Sequence, residues 1–210
     1  MRRRILYFSL AVCTSVSLPA APMVSWDGNG HTYELVPDIL TWTAAKTGAV
    51  ARTFGGETGY LATITSQAEQ DFVYSSFVQP GVHSAWIGLT DSELFGGQES
   101  GGVEHPGAPY WVWITGEPVV YTDWLTGEPN NLLHGPEGED FAELVFTNTD
   151  GTPGRWNDLP DAYSDGKVRY YLVEYSVVPE PSTLALLSIG ALAFVARVKT
   201  TPRGLEAAPL

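Results

Sequence analysis

The chain has 210 residues, 44% of them hydrophobic and 17% charged, with 24 acidic side chains against 11 basic ones and a formal net charge of −13. Its length allows one domain with processing segments at the ends. Its acidity excludes a partner held through phosphate groups, because nucleic-acid binding rests on clustered Lys and Arg.

Residues 1–23 have the make-up of a secretory signal peptide. Arg2-Arg3-Arg4 precedes an apolar run from Ile5 to Leu18 and the small pair Ala20-Ala21, with Pro19 and Pro22 flanking the cut. Cys13 is the only cysteine and lies inside that segment. Leu10-Ala11-Val12-Cys13 matches a lipoprotein site poorly, since Val12 is larger than the usual small residue there. The expected domain, residues 24–177, thus has no cysteine and does without disulfides despite an oxidising destination.

Gly30–Val36 reads as a first strand, broken by Pro37-Asp38. A helix is expected from Thr41, with Trp42, Ala45 and Ala49 at helical spacing and Phe54-Gly55-Gly56 at its end. Tyr60–Ile64 is a short buried segment. Ser66-Gln67-Ala68-Glu69 is a capping box that opens a second helix, with Phe72, Val73 and Phe77 on its apolar side and Pro80-Gly81 to stop it. Ala85–Thr90 is a central strand. Gly96–Pro109 holds five Gly and two Pro and reads as a long surface loop. Tyr110–Ile114, Asp140–Phe146, Arg155–Leu159 and Arg169–Tyr175 are further strands, with a long loop from Thr126 to Gly138 and a turn at Thr147–Gly154. Trp86, Trp111, Trp113 and Trp156 are expected in the core, where aromatics contribute most burial. No internal repeat is present.

Beyond the domain, Val178-Pro179-Glu180-Pro181-Ser182 precedes an apolar run from Leu184 to Ala196 and then Arg197, Lys199 and Arg203. That run is shorter than the roughly 20 residues that span a bilayer comfortably. A short hydrophobic segment after Pro-Glu-Pro with a basic tail resembles the PEP-CTERM sorting signal of bacterial exported proteins. It occupies residues 178–204, with a C-terminal extension at 205–210. The resemblance implies sorting machinery in the membrane, a transpeptidase-like enzyme that recognises and removes the tail. A transmembrane helix acting as a plain tail anchor is the alternative. Both place the domain outside the cytoplasm, in the periplasm, the cell envelope or on the surface. Without the two ends, the 11 basic residues fall by six to five and the 24 acidic ones by two to 22, a formal charge of −17. Bound cations would relieve that self-repulsion.

The stretch from Trp124 to Glu174 contains three clusters of oxygen donors: Glu128-Pro129-Asn130, Glu139-Asp140 and Trp156-Asn157-Asp158. Glu128, Glu139 and Asp158 offer carboxylates; Asn130 and Asn157 offer amide carbonyls. Calcium takes six to eight such oxygens, and none of the three clusters contains a Cys or His to favour zinc or copper. A cis Glu128-Pro129 bond is accessible because of the proline and aims both neighbouring side chains to one side.

Glu-Pro-Asn, an acidic pair, Trp-Asn-Asp and the closing Tyr171-Leu172-Val173-Glu174-Tyr175, with Trp86-Ile87-Gly88-Leu89 upstream, resemble a C-type lectin domain. The resemblance covers most of the expected domain. It implies an α+β fold of two helices and a small, mostly antiparallel sheet with a long calcium-binding loop region. It further implies one Ca2+ held by Glu128, Asn130, Glu139, Asn157 and Asp158, with Asp158 also offering its backbone oxygen. A sugar with two neighbouring hydroxyls would bind the same five residues. The order Glu-Pro-Asn looks like the mannose, glucose or fucose type, because exchanging acid and amide reverses the donor–acceptor match. Asp91 and Asp140 match a second metal site less fully: Asn131 and Phe95 stand where acids are expected. The family's two disulfides are missing, and Phe141 and Val173 stand where Cys is usual.

The expected function is a calcium-dependent carbohydrate-binding protein whose partner is a cell-surface or matrix polysaccharide. The alternative is a lectin-like protein-interaction or adhesion module with a structural or absent calcium site, in which Asn131–His134 shapes or blocks the pocket. An enzyme is not expected. A glycosidase needs one carboxyl with a raised pKa, whereas calcium ligation would lower that of Glu128 and Glu139. No nucleophile–base pair forms around His31, His83, His105 or His134.

Overall fold

Three strands run side by side in the middle of the protein, and each half of the chain supplies part of them. The computed structural model describes residues 23–98, 110–132, 138–147 and 154–176. Residues 1–22 of the expected signal, the sorting tail, Cys13, His105 and His134 lie outside those residues, as does most of the Gly-rich loop. The strands are β1 (Met23–Ser25), β2 (Thr32–Val36), β3 (Thr53–Phe54), β4 (Glu57–Thr58), β5 (Tyr60–Leu61), β6 (Ser84–Thr90), β7 (Val112–Trp113), β8 (Phe141–Val145), β9 (Trp156–Leu159) and β10 (Arg169–Tyr175). The main sheet has the order β1-β2-β10-β6-β8-β9, with β5 on β10 and β7 on β6. All its pairs are antiparallel except β10 with β6. Two helices, α1 (Trp42–Val50) and α2 (Gln67–Phe77), complete the α+β fold that the lectin-like resemblance implies.

Period-two alternation sends each strand's side chains to two cores. Ala85, Ile87 and Leu89 of β6 and Ala142 and Leu144 of β8 join Val73 and Phe77 of α2. Trp86, Phe141 and Tyr171 face the other way, onto Trp42, Ala45 and Ala49 of α1. Trp42 is the centre of that second core. Its ring stacks on Phe141 at 4.5 Å and its Nε1–H donates to the Ile87 carbonyl at 2.7 Å. All four expected core tryptophans are buried, and Trp124 joins them.

The helices start where their caps stand. Thr41 Oγ1 accepts the Ala44 N–H and Ser66 Oγ accepts the Glu69 N–H. The capping box is only half made. Instead of returning to Ser66, the Glu69 side chain takes the Thr65 N–H at 2.8 Å and, with its other oxygen, the Tyr33 hydroxyl. A buried tyrosine and a buried acid satisfy each other better than either satisfies a cap.

Three details differ from the sequence expectations. α1 ends at Val50, and residues 53–58 form the β3–β4 hairpin rather than a stop. Met23–Ser25 adds an edge strand. The Tyr110–Ile114 strand shrinks to two residues, because only Val112 and Trp113 pair with β6. Phe95 is absorbed by the aromatic group around Trp42, 5.2 Å from it. Phe141 and Val173, at the positions of the missing cysteines, both belong to the α1 core. Apolar burial there takes over the anchoring a disulfide would supply.

Candidate ligand-binding site

β9 is the outer strand of the sheet, and its alternation splits the Trp-Asn-Asp motif. Trp156 and Asp158 turn toward the α2 side, where Trp156 donates to Gln70 Oε1 at 2.9 Å. Asn157 turns to the α1 side beside Glu143, its Nδ2 lying 3.4 Å from Glu143 Oε1. The same Nδ2 donates to the Asp158 carbonyl at 2.9 Å, so that carbonyl is occupied from within the motif.

Asp158 is fully buried and clamps the loop that carries Glu-Pro-Asn. Its carboxylate accepts the Asn130 N–H at 3.1 Å and the Asn131 N–H at 2.9 Å. The Glu128-Pro129 bond is cis. Asn131 adopts a positive φ of 45°, and its Oδ1 accepts the Glu139 N–H at 2.9 Å. That approach requires Gly138, at φ +76°, where an added Cβ would lie 2.1 Å from Asn131 Oδ1. Leu132 N–H closes the arrangement, donating to Asn130 Oδ1 at 2.8 Å and to Glu139 Oε2 at 2.7 Å.

All five expected ligands therefore gather around one loop, and backbone N–H groups supply much of the positive charge there. Glu128 is the exception: its Oε2 is buried without a hydrogen-bond partner. Burial, then the charge of Asp158 and the contact of the two carboxyl groups, and then the Glu139 charge, push the Glu128 carboxyl up to about 8. Burial raises Asp158 too, against the loop amides that favour its charged form. Carboxylates crowd together at this point, and their mutual repulsion favours the protonated form of Glu128. Asp91 and Asp140 are also brought together, the Asp91 N–H donating to the Asp140 carbonyl at 3.2 Å. Among the described residues, no three Asp, Glu, His or Cys side chains form a ready-made metal cage.

Sequence reasoning missed three charged neighbours of the candidate site. Arg169 Nε donates to Glu143 Oε2 at 2.7 Å, and its two terminal nitrogens hold Asp165 at 2.7 and 3.0 Å. The signal was a charge at Glu143 in β8, between Phe141 and Val145 on a buried face.

Similar solved structures include C-type lectin carbohydrate-recognition domains. The mouse scavenger receptor C-type lectin carbohydrate-recognition domain superposes with a TM-score of 0.53 at 25% identity, over 74% of this chain and 95% of that one. Its human counterpart gives 0.53 at 26% identity, over 75% and 98%. The described domain has the C-type lectin-like fold. Residues 177–199 match the PEP-CTERM protein-sorting motif, which marks an exported protein with a C-terminal sorting signal. Halomucin of Haloquadratum walsbyi is 33% identical over 166 residues, 74% of this chain. The low affinity immunoglobulin epsilon Fc receptor of Mus musculus is 35% identical over 100 residues, 48% of this chain. The chain spans only 2% and 23% of those two proteins. No helix among the described residues is long and apolar enough to cross a membrane.

Proposed function

We propose that this chain is a calcium-dependent carbohydrate-binding protein of the mannose, glucose or fucose type, exported by its N-terminal signal and sorted through its tail. The observation that carries the reading is Glu128 Oε2, buried and without a partner beside Asp158 and Glu139. A hard cation fits that gap. Glu128, Asn130, Glu139, Asn157 and Asp158 offer oxygen only, which suits calcium, and a divalent charge would bring the crowded carboxylates back to their ionised forms. Asp91 and Asp140 are the residues for a second ion.

The bound ion would leave positions for two neighbouring hydroxyls of a sugar. The Glu and Asn side chains then bond those hydroxyls, the acids accepting and the amides donating. The partner is a polysaccharide of the surface or matrix, met in the periplasm, envelope or outside the cell. Carbohydrate-recognition domains are among the similar solved structures, which supports a non-enzymatic role.

One observation favours a second reading, a lectin-like interaction module without calcium. Leu132, whose N–H already serves Asn130 and Glu139, is 56% exposed at the rim of the site.

Thermal unfolding in EDTA and then in calcium separates the two. A ligand that binds only the folded state must raise the midpoint. The calcium reading expects a rise that Glu128→Ala and Asn157→Ala abolish. No rise sinks it and leaves the interaction module.

A further inference from the structure

α1 covers only part of its face of the sheet. The rest, with Glu143, Val145, Asn157 and Leu159, floors a cavity of about 280 Å³. Its lining includes Asn130, Glu139 and Asn157, three of the five candidate ligands, together with Tyr163, Lys167 and Arg169. The last three also line a second cavity of about 300 Å³ that runs on to Ile39, Leu40 and Trp86. A groove therefore leads away from the candidate site and continues past Tyr163. Each half is near the lower end of the volumes usual for small-ligand clefts, about 300–1,000 Å³.

The floor is built rather than incidental. Arg169 is 5% exposed and fixed from two sides by Glu143 and Asp165. Glu143 also takes the Ser84 hydroxyl. A buried ion pair persists only when so fully bonded, and here it yields a rigid polar surface. The Tyr163 ring stands 5.5 Å from the Arg169 guanidinium, half-buried at the junction of the two cavities.

The groove offers no excess of positive charge, its two cations meeting four carboxylates, Glu139, Glu143, Asp161 and Asp165. Two of the five cations among the described residues are here, yet Arg169 is matched by Glu143 and Asp165, and Lys167 lies 3.4 Å from Asp165. Lys167 Nζ is also 3.3 Å from His83 Nε2, and burial lowers the His83 pKa, keeping that ring neutral at pH 7. Paired charges, amide and imidazole beside an aromatic face suit a ligand rich in neutral hydroxyls better than an anion.

We propose that this groove is a second subsite, which holds the sugar unit next to the one bound by Glu128, Asn130, Glu139, Asn157 and Asp158. The ligand is then an uncharged oligosaccharide or stretch of polysaccharide, and not a lone terminal sugar. The inference rests on the carbohydrate reading above.

Titration calorimetry on the full-length chain in calcium tests it, using mannose, glucose and fucose and then the trisaccharide of each. The trisaccharide of the preferred sugar is expected to bind about tenfold more tightly than the monosaccharide. Tyr163→Ala and the exposed Lys167→Ala are expected to reduce the trisaccharide to the monosaccharide level while leaving the monosaccharide unchanged. Equal affinities in the parent overturn the subsite and leave the lectin reading standing, as does a variant that weakens both ligands alike. A uronate trisaccharide that binds better than the neutral one overturns the uncharged class. Binding of neither neutral form sinks the subsite together with the reading beneath it.

Discussion

The Asn131 N–H donates to the buried Asp158 carboxylate at 2.9 Å, so the last ligand motif holds the loop that carries the first. Two motifs 28 residues apart thus form one mechanical unit, joined again by Asn130 N–H on the same carboxylate.

Asp158→Ala removes an acceptor serving two N–H groups in a fully buried position. Unfolding in urea is expected to show a loss of roughly 2 kcal/mol, within the range for hydrogen bonds to a charged group. Asp158→Asn keeps one acceptor and is expected to lose less. An unchanged midpoint for Asp158→Ala would show that the clamp contributes nothing.

Glu143→Leu leaves Arg169 buried with only Asp165 to face. Breaking a buried pair from one side costs about 3–5 kcal/mol, whereas replacing both partners by apolar groups is often close to neutral. Chemical denaturation of Glu143→Leu, and of Glu143→Leu combined with Arg169→Met, is expected to show the single variant as the less stable.

Gly88→Ala is expected to destabilise by about 1–3 kcal/mol, as overpacking usually does. Its Cβ would lie 2.5 Å from the Leu61 carbonyl, where β5 crosses against β6 and the Gly88 N–H donates to Ala62 at 2.8 Å. A thermal midpoint equal to the parent's would mean that β5 moves aside freely.

His31 gives the stability a pH dependence. Its hydrogen bond to Glu174, 2.5 Å long, raises its pKa above 6.5, outweighing the effect of burial. A raised histidine contributes stability that is complete below 6.5 and lost as pH rises through the folded value. Glu69 and Tyr33 face the same pair, and Glu174 is itself pushed up by burial, which acts in the same direction. Urea midpoints from pH 5.5 to 8.5 should fall for the parent more steeply than for His31→Gln. Parallel slopes would remove His31 from the account.

Much of the fold is legible in local patterns. Thr41 and Ser66 stand as caps with helical spacing behind them, and Arg169–Tyr175 reads as a strand to the residue. The β3–β4 hairpin was hidden because two-residue strands carry no periodicity. Glu69 departed from its cap because its partner, Tyr33, lies 36 residues away and only folding brings them together.

The sequence by itself determined the donor types of the candidate site, oxygen without sulfur or imidazole, and the order in which they occur along the chain. Ligand chemistry is a property of single residues, so no fold is needed to read it. Only the tertiary structure decided which oxygens are already taken. It gave Asp158 to the loop amides, Asn157 to the Glu143 side and left Glu128 Oε2 alone. It also decided that Glu143, Arg169 and Tyr163 adjoin the site, because strand order places β8, β9 and β10 around one open face. Hydrogen-bond satisfaction and burial depend on residues distant in sequence, and these separate a row of polar residues from a binding groove.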